Sequence, residues 1–143
     1  MIVSFAYPSQ NNLAVWPFGE IDEKEWAEAI SRVKELPLTH VHAFSYSKRD
    51  NTPSAIMRPE IKGDIAKARH KELTAIIKAK NYAFRREHTQ DLEVLLENGK
   101  DGVYQGFDQY FNRISVTSDE DFSANWVFPK NVEVADEINK AEL

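Results

Sequence analysis

The stretch ENGKDG, residues 97–102, is the clearest turn signal in the part of the sequence that follows the change from helical to strand character. Its two glycines follow Asn98 and Asp101, and both Asn-Gly and Asp-Gly can adopt the positive φ angles that a tight hairpin turn requires. Upstream of His88 the apolar residues recur at the helical period of 3.6, whereas downstream they alternate. The stretch therefore predicts a β-hairpin near the start of an all-β C-terminal region.

Around this hairpin the sequence predicts five short strands within residues 88–143. The segments are LEVLLE, GVYQGF, FNRISVT, NWVFP and VEVADEI. Five strands of modest length in so short a region are typical of a small closed barrel of the OB kind.

Toward the N-terminus, residues 1–7 predict a short strand, and a helix is predicted from Asp22, as its N-cap in a capping box with Glu25, to about Leu36. The stretch LTHVHAFSY, residues 38–46, is almost continuously apolar and predicts a buried strand with parallel neighbours. A second, long helix is predicted from residues 62–64 to Arg86, because apolar residues again follow a helical period. Its predicted buried face comprises Ile65, Ala68 or Arg69, Leu73, Ile76, Ile77 and Phe84. The predicted fold class is α+β.

Composition excludes several classes of chemistry. The 143 residues include no cysteine, which excludes disulfides, zinc–thiolate sites and cysteine-held iron–sulfur clusters. No apolar run approaches the ~20 residues of a membrane span, and the N-terminus lacks the basic start of a signal peptide. We therefore expect a cytoplasmic protein without a membrane partner.

Charge is unevenly distributed along the chain. Residues 48–87 contain 11 Lys and Arg against 5 Asp and Glu, whereas residues 88–143 contain 4 against 12. The basic part of the long helix is suited to phosphate, and aromatic residues of the β region could stack on bases. The basic candidates are Lys62, Lys67, Arg69, Lys71, Lys78, Lys80, Arg85, Arg86 and Arg113, and the aromatic candidates are Tyr104, Phe107, Tyr110 and Phe111. The alternative is a solvated basic helix beside an acidic β domain whose aromatics form its core.

The remaining polar residues indicate no catalytic centre. His40 and His42 alternate on one strand and share a face, but no third ligand accompanies them, so no metal site is predicted. The loop YSKRDNTPSA, residues 46–55, follows the most apolar strand, where α/β proteins often place functional loops. Its alternative role is to connect two elements.

That loop carries a family resemblance. The stretch LPLTHVHAFSYSKRDNTPSAIM, residues 36–57, resembles the last strand and exit loop of the barrel in radical-SAM methylthiotransferases, and GEIDEKEWAEAI, residues 19–30, resembles the helix start before that strand. The basic helix resembles the family's connector, and residues 92–116 resemble a TRAM domain. The TRAM signature positions are taken by Gly106, Asp108, Phe111 and Ile114.

The resemblance implies three regions: residues 1–60 as the edge of the radical-SAM barrel, residues 61–87 as a connector and residues 88–143 as a TRAM barrel. It implies a substrate or cofactor rim formed by Tyr46, Ser47, Arg49 and Thr52. The alternative for Ser47 and Thr52 is that they only shape the turn.

The resemblance also implies the activity. The family uses iron–sulfur clusters and S-adenosylmethionine, and the branch closest to this chain modifies threonylcarbamoyladenosine beside the tRNA anticodon. Because no cysteine is present, we expect a non-catalytic, tRNA-binding C-terminal part, which would work with the missing N-terminal part. The alternative is a protein-interacting or self-associating remnant that does not bind RNA.

Overall fold

The computed structural model describes residues 2–7, 10–17, 22–44, 50, 51, 56 and 61–143. The chain divides into an N-terminal unit, residues 1–81, and a C-terminal unit, residues 82–143. The division falls within a helix and differs from the three regions that the resemblance implies. The three regions that the resemblance implies therefore stay a prediction.

The described part of the N-terminal unit combines a three-stranded sheet with two helices. Its elements are β1 (Ile2–Tyr7), β2 (Gln10–Pro17), α1 (Glu23–Glu35), β3 (His40–Phe44) and α2 (Gly63–Glu87). The sheet order is β2-β1-β3, and β1 pairs antiparallel with both neighbours. The predicted parallel setting of β3 is therefore wrong, because an apolar run carries no information on strand direction. The predicted burial is also wrong for residues 40–43, which are half-buried or exposed because β3 lies at the edge of the described sheet.

Helix α1 begins where the local sequence predicts. Asp22 has extended backbone angles, and its Oδ1 accepts the backbone N–H of Glu25 at 2.8 Å. The helix ends at Glu35, one residue before Leu36 and two before Pro37. This cap satisfies one of the orphan amides of the first turn and confirms the predicted start.

The core of the N-terminal unit lies between the two helices and the residues leading into β3. Its buried residues are Trp26, Ile30, Val33, Leu38, Leu73 and Ile77. The first three follow the i, i+4, i+7 spacing of one helix face, which explains why α1 is amphipathic. The indole Nε1 of Trp26 donates to Glu72 Oε2 at 2.8 Å, so the buried ring keeps a polar partner.

Helix α2 confirms the predicted long helix but not all of its predicted buried face. Leu73 and Ile77 are buried and Ile76 is half-buried, whereas Ile65 is exposed. In the first two turns of the helix Arg69 is buried in place of Ile65.

The C-terminal unit is built on a six-stranded sheet. Its strands are β4 (Val94–Leu96), β5 (Val103–Asp108), β6 (Arg113–Thr117), β7 (Trp126–Val127), β8 (Lys130–Glu133) and β9 (Asn139–Glu142). The order is β7-β4-β5-β6-β9-β8, and only the β6–β9 pair is parallel. The sequence predicted five strands and missed β9, and closure into an OB-type barrel stays a prediction.

The ENGKDG stretch forms the predicted hairpin with one of its two glycine pairs. Asp101 and Gly102 have φ of 54° and 75°, and Lys100 and Val103 exchange two 3.0 Å backbone hydrogen bonds around them. Asn98 and Gly99 instead lie opposite the single residue Tyr104, since Glu97 N donates to Gln105 O. Asn98 and Gly99 therefore form a β-bulge. A side chain at Gly99 would overlap the Tyr104 ring.

Candidate functional site

The predicted substrate or cofactor rim follows β3 along the chain. Tyr46, Ser47, Arg49 and Thr52 all lie outside the described residues. The role that the resemblance gives them stays a prediction.

The two strand histidines differ in their surroundings. His40 is half-buried and contacts Thr39 Oγ1 at 3.0 Å and Asn81 Nδ2 at 3.3 Å, whereas His42 is exposed. Within the described part of the chain, no three His, Asp or Glu side chains form a group that could hold a metal ion.

Three exposed lysines of α2 form a basic strip. Lys67, Lys71 and Lys78 lie at positions i, i+4 and i+11, which places them within about 40° around the helix axis. At ~1.5 Å per residue this strip, called the lysine stripe below, is about 16 Å long. All three side chains are exposed, and they lie on a different face of the helix from the buried Leu73 and Ile77.

The other basic candidates differ in exposure. Lys62, Arg86 and Arg113 are exposed, whereas Lys80 is half-buried and donates to the carbonyl of Lys34 at 2.6 Å. The first three stay candidates for contact with an anion.

Arg69 has a structural position. Its side chain is buried, its guanidinium lies 5.3 Å from the centre of the Trp26 ring, and Nη2 donates to Glu23 Oε1 at 2.9 Å and to Asp22 O at 3.3 Å. It therefore ties α2 to the N-terminus of α1. The prediction that it contacts phosphate was wrong for this conformation, because a buried guanidinium bonded to protein oxygens cannot reach RNA.

Arg85 has an equivalent role in the C-terminal unit. Nη1 donates to Ala135 O at 2.7 Å and to Asn139 Oδ1 at 2.6 Å, and Nη2 donates to Asp136 O at 3.0 Å. Desolvation lowers the pKa of Arg85, and Tyr82, Asp108 and Asp136 oppose this. The side chain stays charged at any ordinary pH and holds the segment before β9, so it too was wrongly predicted as a phosphate ligand.

Two of the predicted stacking aromatics serve the fold. Tyr104 is buried, with its ring at 6.4 Å and nearly perpendicular to that of Phe122. Tyr110 is half-buried and meets Phe84 and His88 edge-on, at 5.2 and 5.5 Å between ring centres. The prediction that Tyr104 binds RNA is wrong for this conformation, because its ring is packed inside the sheet.

The turn between β5 and β6 exposes Phe111. The buried carboxylate of Asp108 accepts the backbone N–H groups of Tyr110 and Asn112, at 2.9 and 2.8 Å, and the Asn112 side-chain amide at 3.0 Å. Phe111 completes this three-residue loop with φ of 63°, at the left-handed position that usually takes glycine. Its ring is 60% exposed, so burial does not compensate the backbone strain.

An exposed apolar row crosses three strands of the C-terminal unit and ends beside an arginine on a fourth. Leu95 pairs with Trp126 on one side and with Phe107 on the other, and Phe107 pairs with Arg113. Directly paired residues project to the same face, and Trp126, Leu95 and Phe107 are 61%, 42% and 41% exposed. We call Trp126, Leu95 and Phe107 the apolar row; the Arg113 guanidinium lies 5.9 Å from the centre of the Phe107 ring at its end.

Sequence reasoning identified Phe107 and Arg113 but missed Trp126 and Leu95. A usable signal was present in VLL, residues 94–96, since an apolar residue between two inward-facing ones must face outward on a strand. The register that aligns Leu95 with Phe107 was not predictable, because the bulge at Asn98 and Gly99 shifts it by one residue.

Neither helix in the part of the chain that the structure describes is long and apolar enough to cross a bilayer. No family model matches the chain.

Comparison with curated proteins gives a consistent group of relatives. The chain is 36% identical over 122 residues to a putative methylthiotransferase of Helicobacter pylori strain J99, a match that covers 83% of this chain and 29% of that protein. It is 35% identical over 85 residues to the ribosomal protein uS12 methylthiotransferase of Caldanaerobacter subterraneus, covering 59% of this chain and 20% of that protein.

A third relative acts on RNA according to its name. The threonylcarbamoyladenosine tRNA methylthiotransferase of Bacillus subtilis is 25% identical over 128 residues, covering 85% of this chain and 28% of that protein. The chain thus spans less than a third of the length of these relatives, and it matches their C-terminal region.

Proposed function

Because the chain belongs to the methylthiotransferase family, we propose that it is the tRNA-docking C-terminal part of such an enzyme and is not itself catalytic. The parent reaction would be methylthiolation of threonylcarbamoyladenosine beside the anticodon. The observation that carries the proposal is the lysine stripe of α2, in a chain whose relatives include a tRNA methylthiotransferase.

The chain's residues do not fit the iron–sulfur clusters that the family resemblance implies. Such clusters are held by cysteine thiolates, and the sequence has none. The described residues also offer no alternative group of three His, Asp or Glu ligands. The radical step on S-adenosylmethionine therefore belongs, in this proposal, to another part of the enzyme.

The lysine stripe is suited to a phosphate backbone. Lys67, Lys71 and Lys78 lie along about three turns of one helix face, a length over which several phosphates of a strand lie. Such contacts give affinity without reading sequence. Lys62 and Arg86 would extend the contact, whereas Arg69, Arg85 and Tyr104 are assigned to the fold.

A filter-binding titration of the full chain with unfractionated tRNA tests this function. We expect binding at low salt whose affinity falls steeply as salt rises. The double variant Lys67→Gln, Lys71→Gln should weaken it about tenfold and reduce the salt slope by between one and two, since each lost phosphate contact lowers the slope by roughly 0.9 or less.

The matched control is Lys24→Gln, which removes an exposed lysine from α1. Loss of tRNA binding in this control equal to the loss in the double variant would contradict a localised interface. So would binding by the unmodified chain that salt does not affect.

A second candidate function is association through β3. In the described sheet β3 pairs with β1 and lies at the edge of the order β2-β1-β3. An edge strand offers free backbone groups to a strand of a second copy or of the enzyme's remaining part. Light scattering on a size-exclusion column distinguishes the two functions, because a monomer at all concentrations excludes self-association and leaves tRNA binding unaffected.

A further inference from the structure

The apolar row is not part of the C-terminal core. The strand residues on the inner face, among them Val94, Leu96, Ile114 and Val116, are fully buried and close the core from within. The row lies on the opposite face of the same strands. Isolated exposed apolar residues are ordinary, but three in direct register form a continuous strip about 10 Å long across the sheet.

The surroundings of the row are acidic. Glu93 and Glu97 lie on either side of Leu95 along the strand, two residues away, and both are exposed. Because side chains alternate along a strand, both carboxylates project to the face of the row. The whole C-terminal unit contains 6 Lys and Arg against 13 Asp and Glu, a net charge of −7.

The negative charge of this unit bears on whether the apolar row would bind a nucleic acid or a polypeptide. Affinity for nucleic acid depends mainly on neutralised phosphates, so a face carrying excess negative charge repels RNA even where it offers aromatic rings. An extended polypeptide that carries both apolar and cationic side chains on one face has the complementary pattern. We propose that the apolar row with Glu93 and Glu97 is a docking surface for a basic, extended polypeptide segment.

Arg113 marks one end of this surface. Its Nη2 donates to Gln105 Oε1 at 3.0 Å while the guanidinium lies against Phe107, so its charge is held in a fixed place. A basic segment would be repelled at this end and attracted beside Glu93 and Glu97. The arrangement thus favours a segment whose cationic residues lie beside Glu93 and Glu97 and whose apolar residues cover the apolar row.

The proposal is independent of tRNA docking, because the lysine stripe belongs to the other unit of the chain. Each can fail alone. Loss of tRNA binding in the stripe variants does not bear on the row, and substitution in the row leaves the lysines unchanged.

The test is a titration of the full chain with a short synthetic peptide in which every second residue is in turn leucine and lysine or arginine, with threonine between them, so that an extended chain presents both kinds of side chain on one face. Binding is followed by the NMR signal of the Trp126 indole and by calorimetry. We expect Trp126→Ala to weaken binding at least tenfold, as for a central aromatic of an interface. If that variant does not fold, Phe107→Thr tests the same row with a residue that strands accept.

Two matched controls separate the surface from general stickiness. Ile56→Ala removes an exposed apolar residue of the N-terminal unit and should not change the affinity. Glu93→Gln with Glu97→Gln should weaken binding three- to tenfold at low salt, whereas Glu133→Gln on β8 should change it less than twofold.

Three results would overturn the proposal. The first is equal binding of a peptide with glutamates in place of its cationic residues. The second is tighter binding of oligouridine than of the basic peptide at the Trp126 signal, which would assign the row to RNA. The third is self-association that Trp126→Ala abolishes, which would assign the row to a second copy of the chain.

Discussion

The N-terminal unit exposes cations along a helix, whereas the C-terminal unit exposes anions and apolar groups on a sheet. Residues 1–81 contain 12 Lys and Arg against 10 Asp and Glu, and residues 82–143 contain 6 against 13. A single averaged net charge of −5 conceals this difference. The contrast indicates two surfaces with different partners in one chain.

Helix α2 contributes one buried arginine to each unit, Arg69 to the first and Arg85 to the second. Arg69 bonds to Glu23, whose side chain is 80% exposed, while Arg85 bonds to two backbone carbonyls and the buried Asn139. Both were predicted as phosphate ligands from their charge, although the helical period also placed Ala68 or Arg69 on the buried face. A basic residue on a helix is available to RNA only on the face that the fold leaves open.

The largest expected effect separates the two units directly. In Gly106→Ala the new methyl group would overlap the backbone carbonyl of Leu95, and backbone on a neighbouring strand cannot move aside cheaply. We expect the C-terminal sheet to lose at least ~3 kcal/mol of stability. NMR should show collapse of the dispersed amide signals of residues 82–143, while the Trp26 indole signal of the N-terminal unit persists.

Gly63→Ala is the control for that experiment. A side chain at this first residue of α2 would meet no atom within 4 Å, so the substitution should leave both units folded. Loss of the Trp26 signal in Gly106→Ala would show that the two units unfold together and would contradict their separate stability.

The two buried arginines provide the second prediction. Arg85→Met should lower the free energy of unfolding of its unit by about 3 kcal/mol, because it leaves the buried Asn139 Oδ1 and the carbonyl of the half-buried Ala135 without their charged donor. Arg69→Met should cost about 1 kcal/mol, because the exposed Glu23 regains water. Urea unfolding followed by circular dichroism measures both, and equal losses would contradict the distinction drawn between the two sites.

The sequence predicted those elements whose causes are local. The start of α1 depends on Asp22 and Glu25, three residues apart, and the hairpin depends on the adjacent Asp101 and Gly102. Strand β9 was missed because NKAE, residues 139–142, has no apolar alternation and is recruited by β6, far away in the chain. Local propensity cannot predict such a pairing.

The candidate surfaces were predictable to different degrees. The lysine stripe follows from helical periodicity alone, so its residues could be named from the sequence. The apolar row required the register of three strands, and the register of β4 with β5 depends on the bulge at Asn98 and Gly99. The burial of Arg69 and Arg85 required knowledge of the segments that pack against them.

The smallest predicted effect concerns the acid stability of the C-terminal unit. The side-chain and backbone hydrogen bonds that Ser123 donates lower the pKa of Asp121, with the backbone bond at 2.9 Å. A carboxylate whose folded pKa lies below its unfolded value stabilises the fold above the unfolded pKa, and this contribution disappears as pH falls through the folded pKa. Asp121→Asn should therefore reduce the amount of stability that residues 82–143 lose on acidification below about pH 4, where free aspartates titrate. Thermal melts between neutral pH and about pH 2.5 measure this, with Asp119→Asn as a control that removes the same charge from the same loop. A reduction that also appears in the control would attribute the effect to the excess negative charge of the unit rather than to the bonds from Ser123.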